Sequence, residues 1–283
     1  MAGSTDGGGF DLHTHSVFSD GTTRPSEIAA EAAGLGLSGF ALTDHDTVDG
    51  WEEAREAAAV HGVDFLPGIE ITTKYDWHSR HLLGYGIDPA DGELFEALAE
   101  VRSSRVGRAR EMVRRISADY AITWDAVVGA EDSRTVGRPH IADALVAGGY
   151  FADRSAAFSE VLHPRSPYYI GTYAIDTVEA VRLVRAAGGV PVLAHPAANR
   201  QRSTTSAGEL RAFAAAGLWG VELDHPENRA EWLPPLAGEA AALGLWTTGA
   251  SDYHGAGKPN RLGECTTDPA LVERLRAFVV TPR

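Results

Sequence analysis

Short apolar runs alternate with longer segments of helical periodicity along most of the chain. Most of the runs are continuously apolar, as expected for strands buried on both faces of a sheet. The seven runs are residues 10–12, 40–42, 65–71, 82–85, 190–194, 219–223 and 246–248. Helical segments between them are residues 25–36, 50–61, 176–187 and 228–243. The alternation predicts an α/β fold with a mainly parallel sheet, closed as a distorted seven-stranded (β/α)7 TIM-like barrel.

One long interval departs from this alternation and is predicted to be a helical insertion, residues 91–167. It contains helical patterns at residues 93–116, 139–146 and 154–162 and no apolar run typical of a barrel strand. We therefore expect the barrel to comprise residues 10–90 and 168–283, and the insertion to act as a wall or lid over a substrate. Residues 1–9 lack both a basic region and an apolar core, and are predicted to be a flexible leader rather than a signal peptide.

Composition limits the classes of binding partner and the cellular compartments that suit the protein. The chain has 283 residues and a formal net charge of −14, which disfavours generic electrostatic binding of nucleic acid, so an acidic substrate would need a local positive site. Cys265 is the only cysteine, which excludes an internal disulfide and a thiolate metal cluster and favours a reducing cytoplasm. No stretch approaches the roughly 18 to 20 apolar residues of a membrane span. We expect no membrane association and find no sign of a protein partner.

Histidines and carboxylates concentrate at or near the ends of the predicted strands. The carboxyl ends of barrel strands converge on one face, so residues far apart in sequence would meet there. Imidazole and carboxylate without thiolate suit Zn, Mn or Fe, and nine candidates are too many for one ion. They fit two or three divalent ions with a bridging carboxylate. The nine are His13, His15, Asp20, His45, Glu70, His81, His195, Asp252 and His254.

A histidine at a strand end is more often hydrogen-bonded or solvated than a metal ligand. That interpretation is favoured for His61, His78 and His163. It is weak for His13, His15 and His254, because two-residue His spacing recurs with carboxylates at other strand ends. We place His225 beside the ligands or facing the substrate. The acidic residues that flank the candidate ligands would either orient imidazoles or cap turns, and the sequence supports both equally. These residues are Asp11, Asp44 and Asp46.

The ordered motifs resemble the PHP (polymerase and histidinol phosphatase) family of metal-dependent phosphoesterases. The matching segments, in chain order, are DLHTHSVFSDGT, TDHDT, PGIE, HLLGY, AHP and SDYH, and they extend from Asp11 to His254. Within the family the chain most resembles the stand-alone branch with 3′,5′-nucleoside bisphosphate phosphatases and 5′→3′ exoribonucleases. The segment GRPHIA at residues 137–142 is similar to a substrate-side motif of that branch.

The resemblance implies a distorted seven-stranded barrel with a trinuclear site. His13, His15, Glu70 and Asp252 would hold one ion. A second would be held by Asp20, His45 and His254, and a third by Glu70, His81 and His195. Mn or Zn is the preferred ion; Fe and Mg are also compatible with these ligands.

The chemistry of such a site is hydrolysis of a phosphate ester. A water bridging two cations loses its proton near neutral pH, and the resulting hydroxide is the predicted nucleophile. The general acid for the leaving group is left open between His225, Asp44 and a metal-bound water. Candidate substrate contacts are Arg134, Arg138, His140, Lys258 and Asn260.

Six arginines of the predicted helix at residues 93–116 are interpreted as a solvated helix face. Arg102, Arg105, Arg108, Arg110, Arg114 and Arg115 would pair with Glu100 and Glu111 in this interpretation. A strip along the path of an oligonucleotide is the alternative.

The resemblance implies a phosphatase that removes the 3′-phosphate of a nucleoside 3′,5′-bisphosphate, a small phosphorylated nucleotide. The alternatives are a 5′→3′ exonuclease on short oligonucleotides, a histidinol phosphatase, and a metal-binding module without turnover. The complete set of ligand-competent residues argues against the last.

Overall fold

The computed structural model describes residues 8–129, 136–198 and 203–279, in which seven strands form one curved sheet. The order across the sheet is β1-β2-β3-β4-β6-β7-β8, and the two-residue β5 pairs with β3 outside this path. The strands are β1 (Phe10–Thr14), β2 (Gly39–Leu42), β3 (Asp64–Tyr75), β4 (His78–Tyr85), β5 (Ile175–Asp176), β6 (Val190–Leu193), β7 (Gly220–Asp224) and β8 (Trp246–Gly249). All seven predicted strands are present, so the α/β barrel-like prediction is confirmed.

The helices of the structure follow most of the predicted helical segments. They are α1 (Pro25–Gly34), α2 (Trp51–His61), α3 (Gly92–Ile116), α4 (Trp124–Val128), α5 (Arg138–Ala147), α6 (Arg154–Ser159), α7 (Thr177–Ala186), α8 (Ala207–Ala216), α9 (Leu233–Ala242) and α10 (Pro269–Phe278). No described helix is both long enough and apolar enough to cross a membrane.

Strand β4 runs opposite to its neighbours. It is antiparallel to both β3 and β6, whereas β1, β2 and β3, and likewise β6, β7 and β8, are mutually parallel. Asp76 and Trp77 form the tight connection from β3 to β4, and both have positive φ angles, 41° and 69°. Sequence analysis did not identify β5, a two-residue strand that follows the predicted insertion and pairs in parallel with Thr73 and Lys74 of β3.

The two edges of the sheet are joined by the segment that follows β8. The Tyr253 carbonyl accepts a hydrogen bond from the His15 amide (2.8 Å), and the Tyr253 amide donates to the His13 carbonyl (3.2 Å). The loop that carries Asp252 and His254 is thereby fixed beside the end of β1. Closure of the curved sheet and assembly of the site depend on the same backbone pairing.

Apolar side chains cover both faces of the sheet, which explains the continuous apolar runs. One cluster joins the sheet to the outer helices and contains Phe40, Ile69 and Phe213. A smaller cluster on the other face contains Leu12, Leu83 and Val192.

Helices α3 to α6 have a separate apolar core. Its buried members include Met112, Ile116, Val127, Ile141 and Leu162. Helix α3 begins at a capped terminus, because the Asp91 side chain accepts a hydrogen bond from the Leu94 amide at 2.9 Å. The helical insertion is therefore a packed unit against the barrel and not a loose loop.

Candidate metal centre

Most candidate ligands lie at or just beyond the ends of strands. His13 and His15 stand at the end of β1, His45 follows β2, His195 follows β6, and Asp252 and His254 follow β8. Glu70 and His81 lie within β3 and β4, and an isolated parallel bridge pairs His45 with Glu70. Asp20 is in the loop after β1. All of these side chains are buried except that of His81, which is 20% exposed.

The backbone is strained where several of these side chains are placed. Asp46, His195 and Asp252 have φ angles of 56°, 27° and 54°, in the left-handed region that residues with a Cβ seldom adopt. Such strain persists only where surrounding contacts enforce it, and it concentrates at functional sites.

Four ligand atoms converge at the centre of the cluster. His13 Nε2 lies 3.1 Å from His15 Nε2, 3.4 Å from Glu70 Oε2 and 3.5 Å from Asp252 Oδ1. His15 Nε2 lies 3.2 Å from Glu70 Oε2 and 3.3 Å from Asp252 Oδ1. Ligand atoms about 2.1 Å from one ion are about 3.4 Å apart in a tetrahedron. The spacing of this group is that of a ligand shell.

Glu70 connects this group to a second one. Its Oε1 lies 2.7 Å from His81 Nδ1 and 2.9 Å from His195 Nε2, while its Oε2 lies 3.2 Å from His45 Nδ1. The two carboxylate oxygens therefore face different imidazoles, as a bridging carboxylate does.

Asp20 gathers the remaining candidates. Its Oδ1 is 3.2 Å from His254 Nε2 and 3.6 Å from His15 Nδ1, and its Oδ2 is 3.8 Å from His45 Nε2. The structure thus brings all nine candidate ligands into one continuous cluster. It places His45 between Asp20 and Glu70, so assigning each ligand to one ion remains a prediction.

The donor set fits divalent cations better than a metal-free hydrogen-bond network. Glu222 occupies Nδ1 of His13, so the Nε2 lone pair of His13 faces His15 Nε2 at 3.1 Å, and without a cation it is satisfied only when His15 adopts the opposite tautomer. His45 Nδ1 is buried without a hydrogen-bond partner. A cation accepts every one of these lone pairs at once.

Burial and neighbouring carboxylates act in opposite directions on the pKa values of His13 and His15. Burial alone would lower the pKa of His13, but the charges of Glu222, Glu70 and Asp252 raise it well above its usual value. Burial would also lower the pKa of His15. Hydrogen bonds to Asp252 and Glu70 outweigh the effect of burial, and the pKa of His15 rises to about 9.

The pKa values of His254 and His45 shift in the opposite direction. Burial and then the Lys258 charge lower the pKa of His254 to about 4. Burial also lowers the pKa of His45 well below its usual value, although Glu70 and Asp20 oppose this. Neighbouring imidazoles thus differ strongly in their affinity for protons.

Sequence reasoning missed one carboxylate of the site, Glu222. It is fully buried in β7; its Oε1 lies 2.9 Å from His13 Nδ1, and its Oε2 accepts from the His195 amide at 2.8 Å. A carboxylate behind the ligating ring fixes its tautomer and orientation. An acidic residue within an otherwise apolar buried strand was the signal that could have identified it.

The flanking aspartates hold the loops that carry the ligands. Asp44 Oδ1 accepts from the Ser16 amide (2.7 Å) and from Ser19 Oγ (2.6 Å), and Oδ2 accepts from Ser16 Oγ (2.6 Å). Asp46 accepts from the Thr72 amide and hydroxyl at 2.7 and 2.8 Å. With both oxygens occupied, Asp44 is suited to positioning the β1 loop and poorly placed to act as a general acid.

The predicted substrate residues fall in different surroundings. Lys258 Nζ lies 2.6 Å from Asp252 Oδ2, so this side chain reaches the cluster. Asn260 is buried and donates to the Ser251 carbonyl at 2.8 Å, which holds the loop after β8. The Nδ1 atom of the buried His140 accepts from the Gly137 amide at 3.1 Å and caps α5. Arg134 and residues 1–7 lie outside the described residues.

The interpretation of the α3 arginines as a solvated face was wrong for part of the helix. Arg114 and Arg115 do pair with Glu111, at 2.6 and 3.0 Å. Arg105 and Arg108, however, are only 8% and 9% exposed. Arg105 Nε lies 3.0 Å from Asp46 Oδ2. The i, i+4 pattern of charges could not reveal that the barrel covers this side of α3.

Comparisons with known proteins agree with the geometry. A family model described as PHP domain matches residues 11–124. The chain is 33% identical to the 3′,5′-nucleoside bisphosphate phosphatase of Chromobacterium violaceum over 89% of either protein. It is 28% identical to a 5′-3′ exoribonuclease of Haemophilus influenzae, over 87% of this chain and 89% of that protein.

A solved structure extends the similarity to the whole fold. A protein of Bifidobacterium adolescentis, described as a metal-dependent phosphoesterase, superposes with a TM-score of 0.94. It is 43% identical in sequence, and the match covers 97% of each chain. The helical insertion is therefore included in the shared architecture.

Proposed function

Because this chain belongs to the PHP domain family of metal-dependent phosphoesterases, we propose that it removes the 3′-phosphate from a nucleoside 3′,5′-bisphosphate. The observation that carries the proposal is the convergence of four ligand atoms: His13 Nε2 and His15 Nε2 lie 3.1 Å apart, and each lies 3.2 to 3.5 Å from Glu70 Oε2 and Asp252 Oδ1. The substrate class is supported by the similarity to the Chromobacterium violaceum enzyme along most of both chains.

Nine side chains would hold two or three divalent cations at this centre. Bound there, the cations would supply Lewis-acid stabilisation of phosphoryl oxygens and acidify coordinated water. Mn and Zn are the preferred ions for these nitrogen and oxygen ligands. The proposed ligands are His13, His15, Asp20, His45, Glu70, His81, His195, Asp252 and His254.

Glu222 and Lys258 would tune the two flanks of the centre. Glu222 accepts the Nδ1 proton of His13 and so directs the lone pair of Nε2 into the cluster. Lys258 would partly neutralise Asp252 and place a positive charge close to an incoming phosphate.

His225 is the proposed hydrogen-bond donor to the leaving group. Its Nδ1 accepts a hydrogen bond from the Glu227 amide at 3.0 Å, so a neutral His225 ring carries its proton on Nε2. That Nε2 is buried without a hydrogen-bond partner and lies 3.4 Å from Asp252 Oδ2. It can donate a hydrogen bond to the negative charge that develops on the leaving 3′-oxygen at the edge of the cluster.

The experiment that tests this function compares substrates on protein of defined Mn content. We expect kcat/KM to be highest for adenosine 3′,5′-bisphosphate, ahead of a 5′-phosphorylated RNA oligonucleotide and of histidinol phosphate. A higher kcat/KM on the oligonucleotide would replace this function with that of an exoribonuclease. Absence of hydrolysis with all three would leave only a metal-binding role.

A further inference from the structure

Within the described part of the chain, Arg108 on α3 has no partner for its charge. The residue is 9% exposed, and its Nε is buried without a hydrogen-bond partner. No residue of the described ranges forms an ion pair with the guanidinium or accepts a hydrogen bond from it. Burying an unpaired charge is strongly destabilising, so a guanidinium retained in this position is suited to an anion that arrives from solution.

Two further arginines adjoin Arg108. Arg105 lies one turn before Arg108 on α3. Its guanidinium is next to Gly137, because a Cβ atom built on that glycine would lie 3.6 Å from Arg105 Nη1. Arg138 follows Gly137 at the start of α5. Burial first, and then the charges of Arg105 and Arg138, lower the pKa of Arg108 to about 9. Three neighbouring positive charges lower the affinity of each guanidinium for its proton and raise the affinity of the group for an anion.

This arginine group leads directly to the metal centre. Arg105 Nε lies 3.0 Å from Asp46 Oδ2, and its Nη2 donates to the Thr72 hydroxyl. Asp46 follows His45, and Thr72 is paired with His81 in the register of β3 and β4. The group therefore begins beside the His45 and His81 edge of the cluster and continues along α3 into the helical insertion.

Arg138 is held in a fixed orientation. Its guanidinium lies 5.2 Å from the Phe158 ring centroid and 5.5 Å from that of Tyr169, and its Nη1 donates to the Leu162 carbonyl at 3.2 Å. A stacked planar fork is suited to the paired oxygens of a phosphate.

We propose that Arg105, Arg108 and Arg138 form a binding subsite for the phosphate group of the substrate that is not hydrolysed. This proposal rests on the proposed function, in which the scissile 3′-phosphate lies at the metal centre. The 5′-phosphate of the same nucleotide then lies one ribose away, over α3. Arg108 supplies the unpaired fork, and Arg105 and Arg138 supply supporting charge.

The test uses two substrates that differ only in the phosphate under discussion. Adenosine 3′,5′-bisphosphate and adenosine 3′-monophosphate have the same scissile bond, but the second lacks the 5′-phosphate. We expect Arg108→Met to reduce kcat/KM on the bisphosphate at least about tenfold, the effect of one charge-assisted hydrogen bond, and to leave the monophosphate unchanged. Arg114→Met, on the exposed side of the same helix, is the matched control and should affect neither substrate.

The alternative is that Arg108 only supports the packing of α3. In that case Arg108→Met would lower kcat/KM equally on both substrates, and the melting temperature would fall. The subsite is overturned by an equal loss of kcat/KM on the two substrates, and also by an unchanged kcat/KM on the bisphosphate. Arg108→Met should instead melt no lower than wild type, because it removes an unpaired buried charge. Arg108→Lys, which keeps the charge but not the fork, should give an intermediate loss confined to the bisphosphate.

A binding measurement separates this proposal from the proposed function. Adenosine 5′-monophosphate carries only the uncleaved phosphate, and its affinity for the purified protein can be measured by calorimetry. If wild type fails to hydrolyse the bisphosphate but Arg108→Met weakens this binding at least tenfold, the subsite stands and the proposed function is wrong. Equal affinity of the two proteins overturns the subsite whatever the activity.

Discussion

Glu70 is the residue on which the candidate metal centre depends most. Its two carboxylate oxygens lie within 2.7 to 3.4 Å of nitrogens from five histidines. Burial opposes ionisation of Glu70, but the surrounding imidazoles lower its pKa well below the usual value. The side chain is therefore an anion with both oxygens committed to the cluster.

We expect Glu70→Gln to lower metal content and activity together. A neutral amide offers one weak oxygen donor and cannot bridge two cations, so kcat/KM should fall by more than about 100-fold. Elemental analysis of the purified variant should give fewer ions per chain than wild type. Glu52→Gln makes the same chemical change at a 73% exposed side chain and should alter neither quantity. Wild-type metal content in Glu70→Gln would show that Glu70 is not a ligand.

Glu222 contributes to the site from behind the ligand ring. Its replacement by Gln keeps the shape but removes the charge that holds the Nδ1 proton of His13. We expect metal affinity to weaken by about 10 to 100-fold, the usual effect of such a carboxylate. Unlike Glu70→Gln, this variant should regain most of its rate when excess Mn is added. If excess metal restores nothing, Glu222 acts in some other way than by orienting His13.

The nine predicted ligands were accessible from the sequence because each lies at or near a strand end or in a recurrent His and carboxylate motif. Glu222 and Arg108 were not. Glu222 resembles one polar interruption of an apolar strand, and Arg108 resembles its exposed neighbours on α3. What distinguishes both residues is burial against distant segments, which local periodicity does not encode.

At the scale of elements, the mainly parallel sheet was predictable and the reversed direction of β4 was not. An apolar run such as residues 82–85 has the same pattern whether the strand is parallel or antiparallel. The β3–β4 hairpin turns at Asp76 and Trp77, where no glycine marks the positive φ angles. Strand β5 is too short, at two residues, to produce a pattern.

Arg154 ties the helical insertion to the ligand-bearing loops. Its Nε and Nη2 donate to Asp143 at 2.6 and 2.7 Å, and its Nη1 donates to the carbonyl of Asp20 at 3.0 Å. Nη1 also lies 3.5 Å from the Gly257 carbonyl, on the loop after His254. One guanidinium thus joins α5 and α6 to the loops on either side of the metal centre.

We expect Arg154→Ala to loosen the Asp20 loop and with it the metal centre. Loss of hydrogen bonds to a charged group costs about 1 to 3 kcal/mol, which corresponds to a fall in melting temperature of several degrees. Metal affinity, measured by competition with a chelator, should fall as well. Arg165→Ala, at an exposed position of the insertion, is the control. Wild-type metal affinity in Arg154→Ala would show that the insertion and the ligand loop are not coupled through this residue.

At the scale of the molecule, the negative charge of the protein is linked to the binding of metal cations. The chain has a formal net charge of −14, and Asp20, Glu70 and Asp252 are buried together at the barrel mouth. Bound cations would offset this local negative charge in the folded state only, because the unfolded chain does not bring the ligands together. The fold and the cofactor should therefore stabilise each other.

Removal of metal should lower thermal stability as well as activity. A ligand present at about 1,000 times its dissociation constant stabilises the folded state by about 4 kcal/mol. For a domain of this size that corresponds to roughly 10 °C in melting temperature, so we expect a fall of this order after dialysis against a chelator and recovery when Mn is restored. Glu70→Gln should melt at nearly the same temperature with and without chelator, because it has already lost the bridging ligand. If chelation abolishes turnover but leaves the wild-type melting temperature unchanged, the ligand cluster is held entirely by protein contacts and the barrel does not need metal to fold.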